Sequence, residues 1–307
     1  EKCFTQALKI RKEAYGEDGR PVADTMTDLG GVYVAENRWP EAEQLLKNAL
    51  EIRKKNSGIE SEDYADSLKA LAALYNKTGR ESEALELLQK ALKIRTKNLG
   101  AAHPDIAETE NSLAMDYQIE GNLERAGQLY ASALKTAEET SGPEHPLVAD
   151  SLVGLASVAF LNKQYAQSEK LFDRALKIRQ KALGADSLRT GEVLSCLGVL
   201  KDTEGKYVEA LNYFKQSLTI KELALGPEHP EVERSLKIYS QALHKLGRDK
   251  EARTVELRMQ KNGRLKAGEN SKSGDDSHLK AGKNSNAGEN TKQGENSNAG
   301  EKSKESQ

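Results

Sequence analysis

The sequence predicts an all-α protein, an α-α superhelix of stacked helical hairpins, and three observations support this prediction. The string A-L-K-I-R at Ala7 returns every 42 residues, in identical or similar form, at Ala49, Ala91, Ala133, Ala175 and Ser217. Glycines follow in the same register at Gly16, Gly58, Gly100, Gly142, Gly184 and Gly226. Each unit also contains two amphipathic segments. A fixed period of this kind is the signature of a solenoid, in which each unit buries its apolar face only against its neighbours.

Each unit is predicted to form two helices. In the unit from Asp63 to Leu99, residues spaced three and four apart define one face of the first helix: Leu68, Leu71, Ala72 and Tyr75. Gly79 follows, where a helix can end in a left-handed residue. The second helix places on one face Ala84, Leu88, Ala91 and Leu92. Along the chain this pattern gives an array at residues 1–261, with one orphan second helix (Glu1–Tyr15) and six full pairs.

The connectors between units are patterned too. They read G-A-A-H-P at Gly100 and G-P-E-H-P at Gly142 and Gly226. Proline suits the first turn of a helix, where its missing N–H has no partner to lose. The recurring histidines are His103, His145 and His229. The ligands of one metal ion must meet within a few ångströms, and these residues sit in different connectors, so a capping or turn role is favoured over a metal site.

Composition excludes several classes of function. The 46 Lys and Arg nearly balance the 48 Asp and Glu, so no nucleic-acid partner is expected. Two cysteines, Cys3 and Cys196, cannot form a disulfide framework, and Cys196 is interpreted as a small packing residue. No apolar run reaches the roughly 18 residues of a membrane span, and the expected location is cytoplasmic. Phosphate-binding, nucleophile and zinc-hydrolase motifs are lacking, so the chain is not expected to be an enzyme or to hold a cofactor or metal.

The order L-x-x-L-A-x-x-Y, Gly, A-x-x-x-L-x-x-A-L resembles the tetratricopeptide repeat. The 42-residue period with A-L-x-I-R and G-x-x-H-P resembles the variant in kinesin light chains and nephrocystin-3-like proteins. This resemblance implies a right-handed superhelix whose concave wall consists mostly of first helices. It also implies a scaffold or adaptor that binds a partner peptide or helix there, for example as a kinesin-light-chain-like cargo adaptor. The paired asparagines of that family are represented here only by Asn111.

The residues that face the concave wall are those left over from the packing face of each first helix. Met115, Val153, Phe160 and Val199 would form an apolar floor, which suits an extended peptide with apolar anchors and acidic flanks. Equally, such residues can be solvated or packed against the next hairpin. The predicted site comprises Lys69, Ala73, Asn76, Lys77, Asn111, Met115, Gln118, Val153, Ser157, Phe160, Ser195, Val199, Asp202, Lys237 and Gln241, with Thr27, Gly31, Val34, His244 and Lys245 towards its ends.

Two further hypotheses concern function and assembly. The array could instead be the regulatory or sensor region of a larger protein that carries a catalytic or nucleotide-binding switch module. An upstream coiled coil would favour the kinesin-light-chain version, and an upstream phosphate-binding loop would favour the regulatory one. The ends of the array also offer surfaces for weak self-association. From Asn262 the composition turns to Gly, Asn, Ser, Lys and Glu, so residues 262–307 are predicted to be a disordered tail.

Overall fold

The computed structural model describes the backbone of residues 1–275 and the side chains of residues 1–262. Within this part of the chain there are thirteen helices and no strand. Glu1–Met259 forms one compact unit, which contains the repeat array. In this part of the chain α1 precedes six hairpins that follow one another in a regular order.

The two kinds of helix differ in length and recur in strict register. The first helices have 16 residues each: α2 (Arg20–Ala35), α4 (Glu62–Lys77), α6 (Pro104–Ile119), α8 (Pro146–Leu161), α10 (Leu188–Thr203) and α12 (Pro230–Lys245). The second helices are α1 (Lys2–Tyr15), α3 (Trp39–Ser57), α5 (Glu81–Leu99), α7 (Leu123–Ser141), α9 (Tyr165–Leu183), α11 (Tyr207–Leu225) and α13 (Asp249–Asp275).

Small residues let the helices of each hairpin pack closely. One position near the start of each second helix from α3 onwards has no exposed surface at all, and it is always small: Ala42, Ala84, Ala126, Ser168, Ala210 and Ala252. Larger side chains fill the space between neighbouring hairpins. Leu88 and Leu152, for example, are almost completely buried. The core is therefore a chain of linked clusters along the array, as expected for a solenoid in which each unit contacts only its neighbours.

The turn inside each hairpin requires a left-handed residue. Gly79 has a φ of 73°, and the N–H of the next residue, Arg80, donates to the carbonyl of Tyr75 at 2.9 Å. This bond closes the end of the first helix in a Schellman-type cap. Asn37 and Lys163 occupy the same position in other hairpins with φ of 59° and 61°. The left-handed helix end predicted at Gly79 is confirmed.

The histidines of the connectors are helix caps, as predicted. The backbone N–H of Asp105 donates to Nδ1 of His103 at 3.2 Å, and the same bond recurs at His145 and His229. A proline follows each of these histidines as the first helical residue. Serines take over the capping role in two connectors that lack the H-P pair, where Ser61 and Ser187 accept a backbone N–H.

The arginine of the A-L-x-I-R string connects successive hairpins, a role that the sequence did not reveal. Arg95 is 2% exposed and donates to the carbonyl of Asp105 at 3.0 Å and to the hydroxyl of Thr109 at 2.6 Å, both in the next hairpin. It also binds the carboxylate of Asp66 in its own hairpin. Arg53 and Arg179 repeat this arrangement. Each guanidinium thus joins three helices through charge-assisted hydrogen bonds.

The last helix, α13, runs to Asp275, although the sequence pattern ends the array at residue 261. Residues 276–307 lie outside the described part of the chain, so the prediction of a disordered tail stays a prediction. Over the described residues, no helix combines the length and the apolar character that crossing a membrane requires.

Candidate functional site

Three cavities on the side of the first helices join into one groove. The first has about 490 Å³ and extends over α2, α4 and α6; the second has about 600 Å³ and continues to α10. Lys69, Ser112 and Met115 line both of them. The third cavity has about 240 Å³ and shares Gln118 and Ser157 with the second. We call the surface lined by these three cavities the groove.

The structure brings most of the predicted site residues together in this groove. The predicted residues that line one or more of its cavities are Lys69, Ala73, Asn76, Asn111, Met115, Gln118, Val153, Ser157, Phe160, Ser195 and Val199. The predicted residues that line none of these three cavities are Lys77, Asp202, Lys237 and Gln241. Contact of any of them with a ligand stays a prediction.

The lysines at the two ends of the predicted site differ in availability. Nζ of Lys69 lies 2.5 Å from Glu108, and Nζ of Lys245 lies 2.5 Å from Asp202. These two ammonium groups already have carboxylate partners within the protein. Lys77 and Lys237 are exposed and make no ion pair within the described residues. Of these four lysines, therefore, only Lys77 and Lys237 have ammonium groups without a carboxylate partner among the described residues.

The middle of the groove carries balanced charges. Arg179 Nη2 lies 2.8 Å from Asp150, and Arg179 Nη1 lies 3.4 Å from Glu192. Arg189 lies 3.8 Å from the same carboxylate of Asp150. These groups, together with Lys69 and Glu108, give the largest of the three cavities equal numbers of cations and carboxylates. The sequence prediction missed Arg179 because it belongs to a second helix. It missed Asp150 and Glu192 because they lie one turn before the predicted row, and Arg189 because it lies almost two turns before it.

The smallest cavity is apolar. Its walls include Phe160, Leu161, Phe172, Cys196 and Val199. Leu161 is 47% exposed and Val199 is 41% exposed, so both side chains are accessible to a ligand. The sequence analysis placed Phe160 and Val199 here but missed Leu161 and Phe172.

Cys196, which the sequence analysis interpreted as a small packing residue, is partly exposed in the wall of this cavity. Burial nevertheless raises the pKa of its thiol, which keeps the sulfur protonated near neutral pH and makes it a poor nucleophile. This agrees with its interpretation as a packing residue. Among the residues that the structure describes, no three His, Cys, Asp or Glu side chains are grouped to hold a metal ion.

Asn76 is fixed beside the groove by a buried carboxylate. Its Nδ2 donates to Oδ1 of Asp116 at 2.6 Å, and Asp116 has no exposed surface. Oδ2 of Asp116 has no hydrogen-bond partner among the described residues. Burial raises the pKa of Asp116 to about 6, while the hydrogen bond from Asn76 acts in the opposite direction. The groove thus borders a carboxyl group that titrates close to physiological pH.

Comparison with known families identifies the class of the protein. The family model described as tetratricopeptide repeat matches residues 1–55, 22–97, 105–161, 148–223 and 204–258. The chain therefore belongs to the tetratricopeptide repeat family, as the repeat pattern predicted. Proteins of this family are generally scaffolds for interaction with other proteins. No curated protein matches the sequence significantly.

Solved structures show the same fold. BtubC (BKLC) from P. vanneervenii is 19% identical with a TM-score of 0.58, covering 89% of this chain and 99% of that one. The nearly identical repeats of a putative kinesin light chain from Podospora anserina are 25% identical with a TM-score of 0.52, covering 66% of this chain and 96% of that one. RapI in its apo form is 17% identical with a TM-score of 0.62, covering 85% of this chain and 89% of that one.

Proposed function

We propose that this protein is an interaction scaffold that binds an extended peptide segment of a partner protein in the groove. The observation that supports the proposal is the continuity of the groove from α2 to α10, with polar and apolar sections in sequence. A scaffold of stacked hairpins offers such a surface without rearrangement. Peptide recognition of this kind combines side-chain pockets with polar groups that hold the main chain.

The charges of the groove refine the expected ligand. Its middle section is electrically balanced, so a strongly acidic or basic segment gains little there. Apolar side chains can contact Met115, which is 46% exposed, and Val199 further along the groove. Acidic residues of the ligand would be placed beyond these anchors, towards Lys77 or Lys237. A structural neighbour, a Rap protein solved in complex with Competence and Sporulation Factor, shows that this fold accommodates a bound factor in that protein.

The role of a cargo adaptor in the manner of kinesin light chains is a narrower version of this proposal. Of the paired asparagines on which that family relies, only Asn111 is present, and its Oδ1 already accepts a hydrogen bond from Ser151 at 2.9 Å. The regulatory or sensor role is the alternative, and it also uses a peptide-binding groove. Both versions therefore depend on the same first test, which is whether the groove binds peptides.

Peptides selected against the full chain from a random displayed library provide the probe. Their affinity is measured by fluorescence anisotropy for the wild type and for Met115→Glu, which places a charge in the shared wall of two cavities. We expect the affinity to fall at least tenfold, because the charge must be desolvated against an apolar anchor. The matched control is Leu223→Glu on α11, since Leu223 is 76% exposed and lines none of the three cavities.

Circular dichroism and thermal melting must first show that both variants fold like the wild type. Selective loss of binding in Met115→Glu supports the groove as the binding site. Equal affinity of Met115→Glu and Leu223→Glu would place the binding surface elsewhere. Failure of the full chain to select any peptide would contradict peptide binding as its function.

A further inference from the structure

We infer that the smallest cavity of the groove is an anchor pocket for one large uncharged apolar side chain of the bound peptide, such as Leu, Ile, Met or Phe. We call it the anchor pocket, and its apolar walls are Phe160, Leu161, Phe172, Cys196 and Val199. This inference rests on the proposed function, because it names the part of the ligand that would occupy this section of the groove.

The repeat register explains why neither neighbouring unit forms the same apolar pocket. The residues that would line its equivalent one unit later include Asp202, Lys237 and Gln241, in place of Phe160, Ser195 and Val199. One unit earlier the equivalents of Phe160 and Val199 are Gln118 and Ser157. Apolar walls of this kind therefore come together between α8 and α10 and in neither neighbouring unit.

The depth of the pocket depends on the residue opposite the aromatic ring of the second helix. One unit earlier, Gly154 faces Tyr130, and a Cβ on Gly154 would overlap the tyrosine ring. Gly154 and this ring both line the adjoining cavity, where most of the other lining residues are polar or charged. In the anchor pocket the equivalent pair is Cys196 and Phe172. Because the side chain of Cys196 is larger than the hydrogen of Gly154, the ring of Phe172 cannot approach the backbone as closely. At the next unit the pair becomes Ile238 and Phe214.

The charge and size of the pocket define its occupant. No charged residue lines it, whereas six charged residues line the adjoining cavity. A charged side chain would lose its hydration there without gaining a partner. The volume of about 240 Å³ is ample for one side chain, because a protein cavity of about 150 Å³ already accommodates benzene.

Gln118 provides the complementary polar contact. Its side chain lines both the anchor pocket and the adjoining cavity and makes no hydrogen bond within the described residues. A primary amide can both donate to and accept from a peptide bond. It therefore stands where the main chain of a peptide would pass as its apolar side chain enters the pocket.

The two cysteines of the chain allow a test that needs no knowledge of the partner. The full chain is equilibrated, in a thiol buffer, with two cysteamine-capped disulfides that carry a phenylethyl or a carboxyethyl group. In each reaction the cysteine thiolate attacks the probe disulfide, forms a mixed disulfide and releases cysteamine. Peptide mapping by mass spectrometry gives the ratio of the two adducts at Cys196 in the pocket and at Cys3, which is exposed on α1.

We expect the ratio of phenylethyl to carboxyethyl adducts to be at least tenfold higher at Cys196 than at Cys3. Val199→Glu should remove this preference, and the control Leu223→Glu, on the exposed surface of α11 and outside the three cavities, should retain it. Cys3 reports the intrinsic reactivity of the probes in the same molecule. The comparison of the two cysteines in the wild type therefore tests the anchor pocket even if a variant fails to fold. Equal ratios at the two cysteines would overturn the anchor pocket.

A final arm separates this inference from the proposed function. The phenylethyl adduct at Cys196, prepared in a Cys3→Ser variant, should weaken the binding of a selected peptide at least tenfold relative to the same variant without the adduct. The adduct at Cys3, prepared in a Cys196→Ser variant, should bind the peptide as tightly as unmodified Cys196→Ser does. If the peptide binds both adducts equally, the anchor role is wrong while the groove remains a binding site. If no peptide is selected at all, the proposed function fails, and the adduct ratio still decides whether the pocket selects apolar groups.

Discussion

Asp116 places a carboxylate where the other first helices have an apolar side chain. The equivalent residues are Val32, Leu74, Val158, Leu200 and Ala242. Because Asp116 is fully buried and one of its oxygens lacks a partner, ionisation is costly there. We expect Asp116→Leu to raise the free energy of unfolding by about 2 kcal/mol at pH 7, measured by urea denaturation. The control Glu108→Leu, on the same helix and exposed, should show no such gain.

The pH dependence of this effect has a defined sign. The pKa of Asp116 is about 6 in the folded protein against an ordinary value of 3.8, so the folded state binds the proton more tightly. Its contribution to stability is therefore complete below the ordinary pKa and is lost as the pH rises through about 6. The advantage of Asp116→Leu over the wild type should shrink by about 1 kcal/mol between pH 7 and pH 5. A constant difference across this range would show that Asp116 does not titrate there.

At the scale of the elements, the turn inside the fourth hairpin, between α8 and α9, carries local strain. Lys163 adopts a φ of 61°, a left-handed conformation that costs a residue with a Cβ about 1 kcal/mol relative to glycine. We expect Lys163→Gly to stabilise the protein by about this amount in thermal or urea denaturation. Asn37→Gly should gain less, because asparagine tolerates this conformation better.

The reverse substitution provides the control for this turn. Gly121 occupies the equivalent position with a φ of 84°, and a Cβ there would meet no atom within 4 Å. Gly121→Lys should therefore be destabilising through its backbone conformation alone. If Lys163→Gly and Gly121→Lys both left the melting temperature unchanged, the turn conformation would not contribute to stability.

Features that repeat at the level of the elements were readable from the sequence, and features that depend on local volume were not. His103 could be interpreted as a cap because it recurs in register before a proline. The role of Arg95 could not be read, because its partners come from positions before and after it along the chain. Of the apolar walls of the anchor pocket, the sequence predicted Phe160 and Val199 but not Leu161 and Phe172. Phe160 follows from the register, but the space beside it depends on the different sizes of Cys196 and Gly154.

At the scale of the whole molecule, the buried arginines couple one hairpin to the next. In a solenoid the stability is a sum over units and their interfaces, so weakening one interface lowers both stability and cooperativity. The interface between α5 and α6 depends on Arg95, whereas Ala137 occupies the equivalent position between α7 and α8 and provides no such link. Cooperativity across the array is therefore expected to rely strongly on the arginines that are present.

Arg95→Met tests this coupling. The side chain of Asp66 is about half exposed, so water can solvate its carboxylate once Arg95 is removed. We therefore expect the free energy of unfolding to fall by about 2 kcal/mol, which is less than the cost of breaking an ion pair in which both partners are buried. Amide hydrogen exchange should then be faster in α1 to α5 than in α6 to α12. The urea unfolding transition of the variant should also be broader than that of the wild type. Lys90→Met, an exposed residue of the same helix, is the matched control and should preserve both stability and cooperativity. A uniform rise in exchange along the whole array would instead show that its hairpins unfold as a single unit even when this interface is weakened.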